Sequence, residues 1–238
     1  MSFYPSLLYW PDLLARDKEI SWSINARKIA GGKAISGVNP IARLDGGGLW
    51  NAELRDVQVS TADQLRTWHA IQTITDGGAT PIVLPNRMTR TAPYPTGYTL
   101  DTTATNSDGS YLSDGASYLS EPIAATLVSS AALRATSLTI AFSVGGPLRG
   151  GEYFSIEHDT FSHRMYQVGA VTLDGSGNSV VSVRPPLREA VSAGATLNFA
   201  NPKCVMQIQD PDQMDLALTW RMFGQTSVKF IESFPPWS

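Results

Sequence analysis

The chain of 238 residues is 42% hydrophobic and only 16% charged, and its 18 basic and 21 acidic side chains leave a formal charge of −3. A composition this close to neutral lacks the excess of lysine and arginine that neutralises phosphates, which argues against a dedicated nucleic-acid binder. The hydrophobic share is that of an ordinary globular protein with one large or two small domains, which argues against a disordered chain.

The cysteine content and the N-terminus bear on the compartment. Cys204 is the single cysteine and cannot form a disulfide within the chain, which favours a reducing compartment. The first residues lack a basic start and contain Pro5 and Pro11, so we do not read them as a signal peptide. No apolar run approaches the roughly 20 residues that span a bilayer, so we expect no membrane insertion.

Alternating apolar residues predict two strands in the first quarter of the chain. One carries Ile20, Trp22 and Ile24 on a single face, and the other follows at 49–59. The segment 31–48 between them is bounded by glycines and has no helical period, which predicts a long extended hairpin. Its apolar side chains cannot form a core alone, so we expect a neighbouring subunit to bury them. These predicted interface residues are Ile35, Val38, Ile41 and Leu44.

One helix is predicted, over 62–75. Ser60 or Thr61 can accept hydrogen bonds from its free amides, and Gly77 and Gly78 supply a left-handed exit. Its apolar stripe should face the sheet. The members of this stripe are Leu65, Trp68, Ile71 or Gln72, and Ile74. A short strand over 81–85 follows, with a proline at each end.

The segment from residue 86 to about 130 differs in composition, since threonine, serine, tyrosine, glycine and aspartate dominate it. Asp-Gly pairs at 108–109 and 114–115 indicate turns, so we interpret the segment as an exposed insertion. Tyrosine-rich loops of this kind serve at protein interfaces and can also stack on sugars. Tyr111 and Tyr118 are therefore predicted to face a partner.

The remaining sequence reads as successive strands separated by explicit turns, which is typical of an all-β barrel or sandwich. The predicted strands are 137–144, 153–158, 164–173, 179–184, 195–199, 205–209 and two pieces within 216–231. We therefore predict a mainly β fold with one helix at about 61–76, a long hairpin and an inserted loop region. We divide it into 1–90, 91–130 and 131–238, the last of which either completes the N-terminal sandwich or forms a second barrel.

Residues that could support catalysis or bind a metal are sparse. Glu157, His158 and Asp159, with His163 nearby, could face one cation, but we favour a polar turn between two strands. Asp174 to Asn178 places oxygens at alternate positions as calcium loops do, yet a hairpin turn is the better interpretation. Cys204 is expected to be a buried, inert thiol. We therefore predict no catalytic, metal-binding or cofactor-binding residues, and no enzymatic activity.

Three further residues are predicted to face a partner. Arg184 and Arg188 flank a rigid Pro-Pro pair that could present cations to an acidic partner, although an ordinary surface bend is an equal alternative. Trp237 lies beyond the last predicted strand, where it could contact a partner or close the end of the barrel.

A series of motifs between residues 148 and 232 carries a resemblance over about a third of the chain. The most specific part is Pro-Pro-Leu-Arg at 185–188 after an Asp-Gly turn, followed by a glycine and a Pro-x-Cys-x-Met strand at 202–206. In this order the motifs resemble distal-tail or baseplate proteins of long-tailed bacteriophages. The N-terminal layout of strand, hairpin, strand, helix and strand also looks like the tail-tube-type sandwich of that family.

The resemblance implies a structural virion protein at the tail tip, assembled in the host cytoplasm. Such proteins form a ring, usually hexameric, with the extended hairpin reaching a neighbour. Its implied partners are copies of itself, the tail tube protein, the baseplate hub and other tail-tip proteins. Two alternatives remain open: a receptor- or carbohydrate-binding module that uses the tyrosine-rich insertion, and a cell-wall hydrolase.

Overall fold

The computed structural model describes residues 7–15, 18–25, 28–30, 41–43, 47–95, 123–219 and 223–235. These residues are mainly β with one α-helix, which confirms the predicted fold class. The elements are β1 (Leu8–Tyr9), β2 (Glu19–Asn25), β3 (Lys28–Ala30), β4 (Ile41–Arg43), β5 (Leu49–Val59), α1 (Ala62–Thr75), β6 (Ile82–Pro85), β7 (Ala124–Leu127), β8 (Ser137–Val144), β9 (Tyr153–His158), β10 (Ser162–Leu173), β11 (Ser179–Arg184), β12 (Thr196–Leu197), β13 (Lys203–Ile208), β14 (Leu218–Thr219) and β15 (Phe223–Glu232).

A seven-stranded sheet contains strands from both halves of the chain. Its order is β1-β6-β13-β15-β5-β2, with β14 paired to β15. β1 runs parallel to β6, and the other pairs are antiparallel. In β2 the side chain of Trp22 is buried, and Ile20 and Ile24 pack against the same core, as the alternating pattern predicts.

A β-bulge keeps the apolar side chains of β5 on the buried face over eleven residues. Trp50, Ala52 and Leu54 alternate inward, and after the bulge Val57 and Val59 do the same. The extra residue is accommodated where Asp56 has a φ of 55° and donates its amide to Ser227 Oγ at 3.1 Å. The bulge shifts the register by one residue, so the second apolar run still faces the core.

The helix α1 has the predicted bounds and begins with a capping box. Thr61 Oγ1 accepts a hydrogen bond from Gln64 N at 3.2 Å, and Gln64 Oε1 accepts one from Thr61 N at 3.2 Å. The left-handed exit begins at Asp76, with a φ of 44°, and continues through Gly77 and Gly78. The helix therefore leaves the helical conformation one residue before the predicted glycine pair.

The buried face of α1 differs in part from the predicted stripe. Gln64, Trp68, Ile71 and Thr75 are buried, a spacing that follows one side of a helix. The prediction is wrong at Ile74, which is 49% exposed because it falls beyond the edge of this face. The buried face therefore includes the polar side chain of Gln64 at the N-terminal end of the helix, where Gln64 also completes the capping box.

Six strands form a second sheet, which is a nearly closed barrel, in the order β12-β7-β8-β11-β10-β9. All neighbouring pairs are antiparallel, and a bridge between Ser155 and Asn198 joins β9 to the end of β12. Closure leaves few unpaired strand edges. The interior is filled by aliphatic and aromatic side chains that include Ile140, Phe154, Tyr166, Val181 and Phe199.

The barrel is inserted between two adjacent strands of the seven-stranded sheet. β6 precedes the barrel and β13 follows it, yet the two pair directly, and Asn86 N donates to Pro202 O at 2.7 Å. The strands after residue 130 therefore divide between the barrel and the sheet. Those from β8 to β12 build a barrel, whereas β13 and β15 complete the N-terminal sheet.

The long strand β10 belongs to the barrel but contributes side chains to the cores of both the barrel and the sheet. Met165 belongs to the core of the sheet, while its neighbour Tyr166 belongs to the core of the barrel. Trp50 Nε1 donates to Met165 O at 2.7 Å, which ties β5 to this strand. One strand therefore presents opposite faces to two cores.

The hairpin predicted between the first two long strands is present at its base. Lys28 pairs with Arg43 and Ala30 with Ile41, so β3 and β4 form a two-stranded sheet of their own. Residues 31–40 lie outside the described part of the chain.

Candidate functional site

A cluster of buried charges lies where the barrel meets the sheet. We call it the junction cluster: Arg164 in β10, Arg188 after β11, Glu232 at the end of β15, and Phe234. Arg164 and Glu232 have fully buried side chains, and that of Arg188 is 10% exposed. Arg164 alternates with Met165 and so leaves β10 on the same face as Tyr166, which lies in the barrel core.

Glu232 is the anion that joins these elements. Its carboxylate accepts from Arg188 Nη2 at 2.7 Å, from Arg188 Nε at 3.2 Å and from Trp50 N at 3.2 Å. Arg164 Nη1 lies 3.5 Å away as an ion pair. Arg188 Nη2 also donates to Gly48 O. One carboxylate thus connects the barrel, the loop after β11 and the start of β5.

The ring of Phe234 supplies the second interaction for the two cations. Its centroid lies 4.2 Å from Arg164 Cζ and 5.3 Å from Arg188 Cζ, within the range of a cation–π interaction. Arg164 Nε also donates to Phe161 O at 2.9 Å. Burial lowers the pKa of Arg164, although the nearby carboxylate of Glu232 opposes that change.

A hydrogen-bonded chain leads from the junction cluster into the barrel. Arg188 N donates to Tyr166 Oη at 3.1 Å, and Tyr166 Oη lies 2.8 Å from His158 Nε2. Burial raises the pKa of Tyr166, so the phenol stays protonated. Burial lowers the pKa of His158 to about 4, outweighing the carboxylate of Glu189 at 4.0 Å. His158 is therefore a neutral, structural hydrogen-bond partner at neutral pH.

The two histidines considered for a cation site do not meet. His158 pairs with Ser162 and His163 with Glu157, so the imidazoles lie on opposite faces of the β9–β10 hairpin. His163 Nε2 is 3.0 Å from Tyr9 Oη instead. Across the part of the chain that the structure describes, no three His, Cys, Asp or Glu side chains are placed to hold a metal ion.

Two other positions considered in the sequence have the geometry that the hairpin-turn and buried-thiol interpretations require. Asp174 Oδ1 accepts from the amides of Ser176 and Asn178, each at 2.8 Å, so its carboxylate closes the β10–β11 turn. Cys204 is fully buried in β13, and burial raises the pKa of its thiol to about 12.

A groove opens at the end of the barrel beside the junction cluster. We call it the end groove; its volume is about 510 Å³ and its walls are largely apolar. Glu189 Oε2 accepts from Thr160 N and Phe161 N at 3.1 and 3.3 Å, which fixes one wall. The lining residues are Leu133, Arg134, Thr160, Phe161, Pro186, Leu187, Arg188, Glu189 and Ala190.

The structure covers only part of the predicted interface. Arg184 is exposed at the end of β11. Arg188, predicted to meet an acidic partner, meets one within its own chain, Glu232. Ile41 lies in β4, where only its backbone is described. The predicted residues Ile35, Val38, Leu44, Tyr111, Tyr118 and Trp237 lie outside the described residues.

Sequence reasoning missed the junction cluster. Glu232 and Arg188 are 44 positions apart, and strand pairing alone brings them together. A usable signal was present, since Arg164 occupies an inward position of an apolar strand, where an isolated charge requires a partner. Glu232 likewise follows the apolar pair Phe230-Ile231 at the end of its strand.

Comparison with known proteins does not assign the chain to a family. No protein-family model matches the chain, and no curated protein matches it either. Of the helices that the structure describes, none combines the length and the apolar character needed to cross a membrane.

Proposed function

We propose that this chain is a structural subunit of the tail tip of a long-tailed bacteriophage. In this proposal its copies form a ring, expected to be a hexamer, between the tail tube and the hub or receptor-binding proteins. The chain would act as a building block of the virion rather than as an enzyme. The sequence resemblance between residues 148 and 232 motivates the proposal.

The observation that carries an assembly role is the separate β3–β4 hairpin. Its strands pair with each other in a sheet distinct from the two larger ones. An isolated two-stranded hairpin is marginally stable in water, so contact with a second surface would stabilise it. The apolar residues of the intervening segment, among them Ile35 and Val38, are suited to provide that contact.

The junction cluster supports the same role. A ring subunit transmits load between neighbours, and this requires its parts to keep a fixed relative position. Glu232 binds both the barrel cation Arg164 and the loop cation Arg188, with the start of β5 attached through Trp50 N. Among the described residues the most deeply buried ionic groups thus serve to join barrel and sheet.

Electron microscopy of the purified chain and of virions tests the proposal. We expect a closed ring with a central opening in negative stain, and antibody labelling at the distal end of the tail. A variant with residues 28–43 replaced by a two-residue turn should keep its unfolding midpoint but lose the ring. A variant with residues 96–122 replaced by a short Gly-Ser linker is the matched control and should keep it.

Two results would contradict the proposal. One is the absence of the chain from purified virions of the phage that encodes it. The other is a chain that remains monomeric both alone and when mixed with the tail tube protein. Binding to a glycan array that the 96–122 replacement abolishes would instead favour the receptor-binding alternative.

A further inference from the structure

The two most exposed large apolar side chains of the described residues lie near opposite ends of β10. Leu173, at the tip of the β10–β11 hairpin, is 70% exposed, and Leu133, on the wall of the end groove, is 57% exposed. Phe161 of the groove precedes β10, and Leu173 is its last residue. At about 3.3 Å per residue, the twelve steps from Phe161 to Leu173 separate the two features by up to about 40 Å.

The tip of the β10–β11 hairpin is narrow and internally hydrogen-bonded. After Leu173 the turn consists of Asp174-Gly175-Ser176-Gly177-Asn178, so small residues surround the leucine. Asp174 N donates to Asn178 O at 2.9 Å, and the Asp174 carboxylate accepts three further hydrogen bonds within the turn. The tip is therefore narrow and held in one conformation before any contact forms.

The end groove offers an apolar wall and a cation. Its Arg188 is paired with Glu232, and the carboxylate of its Glu189 accepts hydrogen bonds from two backbone amides of the groove wall. Arg134, at a φ of 66°, makes no ion pair with any other described residue. Arg134 is thus a cation at the groove with which a carboxylate of a second molecule can pair. The tip carries one charge, the carboxylate of Asp174, and the amides of Asn178 and Ser176 help to lower its pKa.

We propose that the end groove binds the β10–β11 tip of a second copy of this chain, with Leu173 against Leu133 and Phe161, and Asp174 facing Arg134. The two surfaces differ, so the contact is head-to-tail and each copy can bind two others. A head-to-tail contact closes into a ring when its rotation permits. The inference rests on the proposed function, because it names the contact through which neighbours in the ring would join.

Disulfide trapping tests the contact directly. The double variant Leu133→Cys with Leu173→Cys should form a ladder of covalent oligomers on mild oxidation, with the new bond between positions 133 and 173. The native thiol does not interfere, because Cys204 is fully buried. Leu133→Cys alone should stop at dimers. The control pair Ile74→Cys with Leu173→Cys, which places one thiol on the exposed face of α1, should form no ladder.

A charge variant supplies the second measurement. Arg134→Glu should weaken self-association about ten-fold in sedimentation equilibrium, because it places two carboxylates together at the contact. Arg134→Lys keeps the charge at the same backbone conformation and should associate like the parent chain. Equal association of both variants would overturn the assignment of Asp174 to Arg134.

The outcomes separate this contact from the function on which it rests. Rings without a bond between positions 133 and 173 would overturn the contact and leave the tail-tip proposal standing. A ladder from a chain that is absent from virions would keep the contact and remove the tail-tip proposal. If the chain formed neither the ring nor the covalent ladder, both the contact and the tail-tip proposal would be overturned.

Discussion

A single carboxylate pairs with two largely buried cations in this protein, and its removal should lower the free energy of unfolding. Glu232→Gln leaves Arg164 and Arg188 without their counter-charge inside the molecule. Breaking a buried ion pair from one side typically costs about 3–5 kcal/mol, so we expect a loss of unfolding free energy of that size in urea titrations.

A surface ion pair gives the control for this prediction. Glu19 pairs with Arg55 at 3.3 Å, but both side chains are more than half exposed. Solvent and salt screen such pairs, so Glu19→Gln should leave the urea midpoint unchanged. If Glu232→Gln were no more destabilising than Glu19→Gln, the junction cluster would not join barrel and sheet as described.

His158 should make stability depend on pH in the mildly acidic range. Its pKa is about 4 in the folded protein and about 6.5 when unfolded, so the unfolded chain binds the extra proton first. Stability from this group is therefore complete above about pH 6.5 and declines toward pH 4, by about 3 kcal/mol.

Substitution isolates this contribution. His158→Gln retains a polar partner for Tyr166 but does not titrate, so its stability should fall less than that of the parent chain between pH 6.5 and 4. Urea titrations at several pH values measure the difference. His69→Gln, on the exposed face of α1, is the matched control, and a parallel pH profile for the parent chain and His158→Gln would contradict the prediction.

At the scale of the element, the capping box of α1 should contribute measurably to the stability of the folded protein. Thr61→Ala removes the acceptor for Gln64 N, and losing an N-cap costs about 1 kcal/mol. Thermal unfolding should show a lower midpoint for this variant. Thr73→Ala, at an exposed position within the helix, should not lower it, because alanine has the higher helix propensity. Equal midpoints for the two variants would contradict the cap.

The elements also show how far sequence reasoning reached. The bounds of α1, β8, β9 and β11 follow from the sequence because period, caps and turn residues are local signals. β10 begins two residues and β13 two residues before the predicted strands, since pairing with a neighbour extends a strand beyond its apolar run. Strand β12 is shorter than predicted because only two of its residues find a partner in β7.

The junction cluster could not be predicted in this way. The sequence predicts that Arg188 could present its charge to an acidic partner, but the acidic residue, Glu232, lies on β15 in the other sheet. Which strands become neighbours depends on contacts between distant parts of the chain, and no local pattern encodes them. The same limit left open whether the strands after residue 130 belong with the first sheet.

At the scale of the whole molecule, barrel and sheet should unfold together. Met165 lies in the core of the sheet although its strand belongs to the barrel, and Glu232 binds cations of the barrel from the sheet. We expect one calorimetric transition whose measured enthalpy equals the van't Hoff enthalpy. In Glu232→Gln the transition should broaden or divide in two. Two separate transitions in the unaltered chain would contradict this coupling.

The placement of the barrel between β6 and β13 has a consequence for biosynthesis. Before β13 and β15 leave the ribosome, the strands of the seven-stranded sheet that have already been made can form only two separate pairs, β1 with β6 and β2 with β5. The two strands that bridge these pairs are translated after the barrel. The barrel can close on the nascent chain while the apolar faces of the earlier strands remain uncovered. Translation pauses before residue 203 would therefore prolong the period in which the chain is exposed to aggregation and to chaperones.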